Sequence, residues 1–76
     1  MTVKVIMFGK LADIAGNSVS VNDVIDTDGL IRNLDKAYPA LAGAKYAIAV
    51  NKQVVSSNTL LDENSVVALL PPFSGG

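Results

Sequence analysis

The residues of this 76-residue chain best placed to do chemistry stand at its end, in the run Pro71-Pro72-Phe73-Ser74-Gly75-Gly76. Gly75 and Gly76 carry no Cβ, so they can thread a passage too narrow for any side chain. The group they would deliver is the α-carboxylate of Gly76, which is ionised at neutral pH and can attack phosphorus as a nucleophile. A partner holding ATP could convert it to an acyl-adenylate. A plain ending of small residues is the competing explanation, and the glycine pair alone does not decide between the two. The preceding residues sharpen the case. Val66 to Leu70 is wholly apolar and reads as a last strand, and Pro71-Pro72 then forbids further ladder bonding. The pattern describes a thin arm, residues 73–76, leaving a rigid body, residues 1–72.

Other routes to chemistry are narrow. The chain has no cysteine and no histidine, which removes thiol nucleophiles, thiolate metal sites and the commonest general base. Asp13, Asp23, Asp62 and Glu63 lack the regular spacing around a turn glycine that an oxygen-ligand calcium loop needs, so they read as solvated loop charges and no metal site is expected. The six basic residues are scattered and the formal net charge is −1, so nucleic acid is not an expected partner. No apolar run approaches 18 residues, and Lys4 interrupts the N-terminal one, so neither a membrane span nor a leader is expected and the cytoplasm is the expected location. A domain of this size has little room for a deep pocket, which places any function on the surface or at a terminus.

The elements that must position the arm follow from periodicity. Val3 to Phe8 reads as a strand ending at Gly9, with Val3, Val5 and Met7 on one face and Lys4, Ile6 and Phe8 on the other. Lys4 assigns the second face to solvent, which leaves Ile6 and Phe8 as exposed apolar residues that need a reason. Gly16-Asn17 leads into a short strand from Ser18 to Val21. Thr27 fits an N-cap, and Leu30, Ile31, Leu34, Ala37 and Tyr38 share one face of a helix from about Asp28 to Tyr38, stopped by Pro39. Tyr46 to Val50 and Gln53 to Val55 form a hairpin about Asn51-Lys52. One main helix among four or five strands can cover one face of a small mixed sheet, so the fold class is α+β.

The ending from Val66 to Gly76 resembles the C-terminus of the molybdopterin synthase small subunit, the MoaD family. The segments Val3 to Gly9, Leu11 to Gly16, Ala49-Val50-Asn51 and Val54-Val55 match at about the family's spacing, so the likeness spans nearly the whole chain. Departures are Asn64-Ser65 in place of a Gly-Asp pair, Ala12-Asp13 in place of Arg-Glu, and Phe73 where the family has valine. The resemblance implies a ubiquitin-like β-grasp fold and a non-catalytic sulfur carrier that itself binds no cofactor. An E1-like, MoeB-type enzyme would use ATP to adenylate Gly76, with Gly75 beside it, and a sulfur donor would make the thiocarboxylate. A MoaE-like large subunit, in a heterotetramer, would accept the tail and pass sulfur to cyclic pyranopterin monophosphate for molybdenum cofactor synthesis. Partner contacts are implied at Phe8, Val54, Leu70, Pro71, Pro72, Phe73 and Ser74. A ThiS-type carrier for thiamine, a ubiquitin-like protein modifier and a plain interaction domain remain open at this point.

Overall fold

The computed structural model describes residues 2–71, and Pro72, Phe73, Ser74, Gly75 and Gly76 lie outside them. In chain order the elements are β1 (Thr2–Met7), α1 (Lys10–Ala15), β2 (Ser18–Asn22), α2 (Thr27–Ala37), α3 (Pro39–Ala42), β3 (Ala47–Val50), β4 (Gln53–Val55) and β5 (Val66–Leu70). The five strands form one mixed sheet in the order β2-β1-β5-β3-β4. β1 and β5 run parallel and the other pairs antiparallel, so the last strand of the chain lies in the middle of the sheet.

Alternation along β1 works as the sequence predicts: Val3, Val5 and Met7 are buried, while Lys4 and Phe8 are exposed and Ile6 is half-buried. In β5 the same alternation buries Val67 and Leu69, the register partners of Val5 and Met7. Leu30 and Leu34 of α2, Leu11 of α1 and Leu41 of α3 close over these side chains and complete one core on one side of the sheet. The β3–β4 hairpin turns through Asn51 and Lys52, both with positive φ (49° and 72°), the geometry a two-residue turn needs to match strand twist. Asn51 also ties this hairpin to β5. Its N–H donates to the Val66 carbonyl and its Oδ1 accepts the Val66 N–H, both at 2.9 Å.

Three local features differ from the sequence expectation. Two short helices, α1 and α3, join the expected one; at six and four residues they are too short to form alone and depend on burying Leu11 and Leu41. Ala37, expected on the buried face of α2, is exposed at the edge of that face. The N-cap of α2 is Asp26 and not Thr27, because the Asp26 carboxylate accepts the Gly29 N–H at 2.8 Å. Thr27 is buried instead, donating its hydroxyl to Asn58 Oδ1 (3.3 Å) and accepting the Thr59 N–H (3.0 Å). Asn58 extends the cap: its Oδ1 accepts the Asp28 N–H at 2.9 Å and its Nδ2 donates to Asp26 Oδ2 at 3.2 Å. The start of the helix is thus fastened to the loop before β5.

The Gly29 N–H and then the Asn58 amide hold the Asp26 carboxyl below the usual aspartate range; slight desolvation opposes them and the Arg32 charge assists. A folded-state pKa below the unfolded one means stabilisation present above the unfolded aspartate range and lost as pH falls through the folded value. Asp26→Ala is therefore expected to lower Tm by a few degrees at pH 7, and the gap to wild type should close as pH falls below about 4. Melts across that range check this, and a gap that stays constant with pH would contradict it.

Candidate functional site

Because α1, α2 and α3 all lie over one face, the other face of the sheet carries the side chains that the core does not use. Register places Ser18, Ile6, Ala68, Ala49 and Val54 in one row across all five strands. Ser20, Lys4 and Val66 form the row beside it, and Leu70 pairs with Ala47 nearer the end of β5. The result is an apolar strip with small residues at its centre and larger ones at its margins. Phe8 is 46% exposed, Val54 68% and Val66 39%. Ile6, Phe8, Asn51, Lys52, Val66 and Ala68 line an open depression of about 440 Å³ on this face. Lys4 and Lys52 supply its charge, so the surface is apolar with a basic margin.

Of the sequence-predicted partner residues, Phe8 and Val54 stand exposed on this face, whereas Leu70 and Pro71 are half-buried. Phe8 and Leu70 flank the place where β5 ends, and the Phe8 N–H donates to the Leu69 carbonyl at 3.3 Å. Pro72, Phe73, Ser74, Gly75 and Gly76 lie outside the described residues. Sequence reading overlooked Gly9, whose φ of 58° and ψ of −134° turn the chain from β1 into α1. A Cβ built there would meet Pro71 Cγ at 3.1 Å. The only signal for it was a glycine directly after a strand, which reads as an ordinary turn.

The clear ionisation shifts lie away from this face. Besides Asp26, Tyr46 is pushed up, first by burial and then by the negative charge of Asp35. Asp13, Asp23, Asp62 and Glu63 are all exposed, and Asp62 Oδ1 serves its own turn by accepting from the Asn64 N–H (2.9 Å) and the Ser65 hydroxyl (3.2 Å). Among the described residues, no three His, Cys, Asp or Glu side chains gather closely enough to hold a metal ion. Among the described residues, no helix is long and apolar enough to cross a membrane. What the face offers is contact area, not acid–base chemistry.

The sheet order, the single covered face and the central C-terminal strand define a ubiquitin-like β-grasp protein. A solved structure of small archaeal modifier protein 1 from Methanosarcina acetivorans superposes with a TM-score of 0.84 at 24% identity, over 99% of this chain and 96% of that one, a likeness of fold alone. Residues 5–76 match the model of the ThiS family, and the chain belongs to that family. A relative from Chlamydomonas reinhardtii named molybdopterin synthase sulfur carrier subunit is 30% identical over the full length of both chains. A chain from the complex of subunits 1 and 2 of the Helicobacter pylori molybdopterin-converting factor is also 30% identical, with a TM-score of 0.74 and full coverage of both.

If the outer face is surface and not core, a charge there is tolerated. Phe8→Asp and Val54→Asp are expected to change unfolding free energy by no more than about 1 kcal/mol, whereas Leu69→Ala on the inner face should cost about 2–5 kcal/mol. Urea titration distinguishes them, and an unfolded Phe8→Asp chain would contradict the assignment of faces.

Proposed function

We propose that this chain is the sulfur-carrier subunit of a molybdopterin synthase, and that the carboxylate of Gly76 is the group that carries sulfur. The observation that supports this best is the full-length likeness to a relative bearing that name, beside a family match that extends to Gly76. The face described above supplies what a carrier needs besides its terminus, an apolar surface next to the root of the arm.

Each step balances. A Gly76 carboxylate oxygen attacks the α-phosphorus of ATP on an E1-like activating enzyme, and pyrophosphate leaves. Sulfur from a donor, at the hydrosulfide level of oxidation, then attacks the acyl carbon, and AMP departs with the electrons of the C–O bond. In the synthase the thiocarboxylate sulfur attacks a carbon of cyclic pyranopterin monophosphate. The oxygen on that carbon leaves with the electrons of its C–O bond and takes up a proton, so a C–S bond replaces a C–O bond with no change of oxidation level. Water then cleaves the acyl C–S bond, which leaves sulfur on the substrate and restores the carboxylate. No side chain of this chain takes part, so proton transfers and substrate binding fall to the large subunit.

In this reading Phe8, Val54, Leu70 and Pro71 dock on the large subunit while Pro72, Phe73 and Ser74 line its entrance and Gly75 and Gly76 enter. Phe73 is bulkier than the family's valine and asks for a wider groove there. The same terminal chemistry would serve a carrier for thiamine synthesis, and the identity of the relatives named above favours the molybdopterin acceptor.

The claim that position alone makes the carboxylate reactive has a direct test. One alanine added after Gly76 moves the carboxylate outward by about 3.5 Å and puts a methyl group in the narrowest part of its path. Misplacement of this size can cost on the order of 100-fold in rate, and deletion of Gly76 should be as harmful. Wild-type, extended and shortened chains are incubated with activating enzyme, ATP and a sulfur source, and the intact proteins are weighed. Only the wild type should gain the mass difference between sulfur and oxygen; full conversion of the extended chain would sink the mechanism. In a separate titration with the large subunit, Phe8→Asp should bind weakly, since a charge would be desolvated at the contact.

A further inference from the structure

The carrier reading asks that the arm leave the sheet in one direction, and the described residues include a contact able to set it. β5 ends at Leu70, and Pro71 is the next residue. The Phe8 N–H holds the Leu69 carbonyl just before that point, and Gly9 lies against the Pro71 ring. At Gly9 the backbone has φ 58° and ψ −134°, in a region L-residues other than glycine avoid. An L-side chain would also be crowded there, with its Cβ 3.1 Å from Pro71 Cγ and 3.9 Å from Pro71 Cβ and Cδ. The Gly9 carbonyl is itself engaged, accepting the Ala12 N–H at 3.1 Å in the first turn of α1. The turn therefore cannot shift to relieve crowding without disturbing that helix.

We propose that Gly9 is a positioning residue for the C-terminal carboxylate: its bare α-carbon seats Pro71, and that contact aims the arm as it leaves β5. The inference rests on the carrier reading, and it assigns to a turn glycine a role in chemistry that occurs at the far end of the chain. An L-side chain at this position pushes the Pro71 ring by a few tenths of an ångström, at the point where the chain leaves β5.

Gly16 offers an internal control. It too has a positive φ, 91°, and it ends the same short helix, but a Cβ there meets nothing within 4 Å. Gly9→Ala and Gly16→Ala thus share backbone strain and differ in contact with the arm. A second control uses a chain made by chemical synthesis with D-alanine at position 9. A D-residue favours the observed φ and ψ, and its methyl replaces the α-hydrogen on the side opposite the Pro71 contact.

The experiment measures kcat/KM for thiocarboxylation of each full-length chain by the activating enzyme, well below every Tm. Gly9→Ala is expected to fall by about tenfold, whereas Gly16→Ala and the D-alanine chain stay near wild type even though Gly16→Ala also loses thermal stability. Should Gly9→Ala fail to fold, Pro71→Ala removes the same contact from the other side and should show the same loss. Wild-type rates in Gly9→Ala or Pro71→Ala, or a D-alanine chain as slow as the L-form, would overturn the positioning role while leaving the carrier reading intact. A wild-type chain that never accepts sulfur would overturn the carrier reading, and the positioning role with it.

Discussion

The parallel pairing of β1 with β5 is the interaction on which the rest of the structure depends. It puts the last strand of the chain between β1 and β3, so β5 is hydrogen-bonded along both edges. Val67 and Leu69 are fully buried beneath it, and Asn51 pins its first residue from the β3–β4 turn. Parallel strands need a long crossover, and here the connection from β1 to β5 contains every helix of the described chain. Those helices pack on one side, and the opposite face of the sheet is left apolar and uncovered. A last strand bonded along both edges and an uncovered apolar face beside its end are two consequences of one strand order.

Much of this was legible in the sequence because the signals were strong and local. Lys4 amid the alternation of β1 assigns the two faces of the sheet, and the structure exposes Phe8 accordingly. The unbroken apolar run from Val66 to Leu70 reads as the last strand, and the structure adds that β5 lies at the centre of the sheet. Asn51 marks the hairpin as a residue type that tolerates positive φ, whereas Lys52 takes positive φ without such a preference. What escaped was set by distant partners. α1 and α3 have too few residues for a periodic pattern, and their stability comes from Leu11 and Leu41 meeting a core built elsewhere. Asp26 and Thr27 are both good caps, and the choice between them turns on Asn58 and Thr59, more than 30 residues away. The Gly9–Pro71 contact joins opposite ends of the chain, so no window of sequence contains it.

Function follows a similar division. The described residues present contact surface and no cluster of side chains able to hold a metal, and the function proposed above puts the chemistry at the terminus. A carrier works by being recognised and by presenting one group. Under the function proposed above, the informative geometry is the uncovered face and the end of β5, and Phe8, Val54 and Gly9 bear on these more directly than any titratable side chain.

The most direct test of the account is a single turnover in which sulfur is followed from this chain to its acceptor. Chain bearing a Gly76 thiocarboxylate is mixed with the large synthase subunit and cyclic pyranopterin monophosphate, and the mass of the chain and the appearance of dithiolene are recorded together. The account predicts that the chain returns to its carboxylate mass as dithiolene forms, with two chains consumed for each dithiolene because each brings one sulfur. Dithiolene formed while the thiocarboxylate stays intact, or a thiocarboxylate that the large subunit and substrate leave untouched, would contradict it.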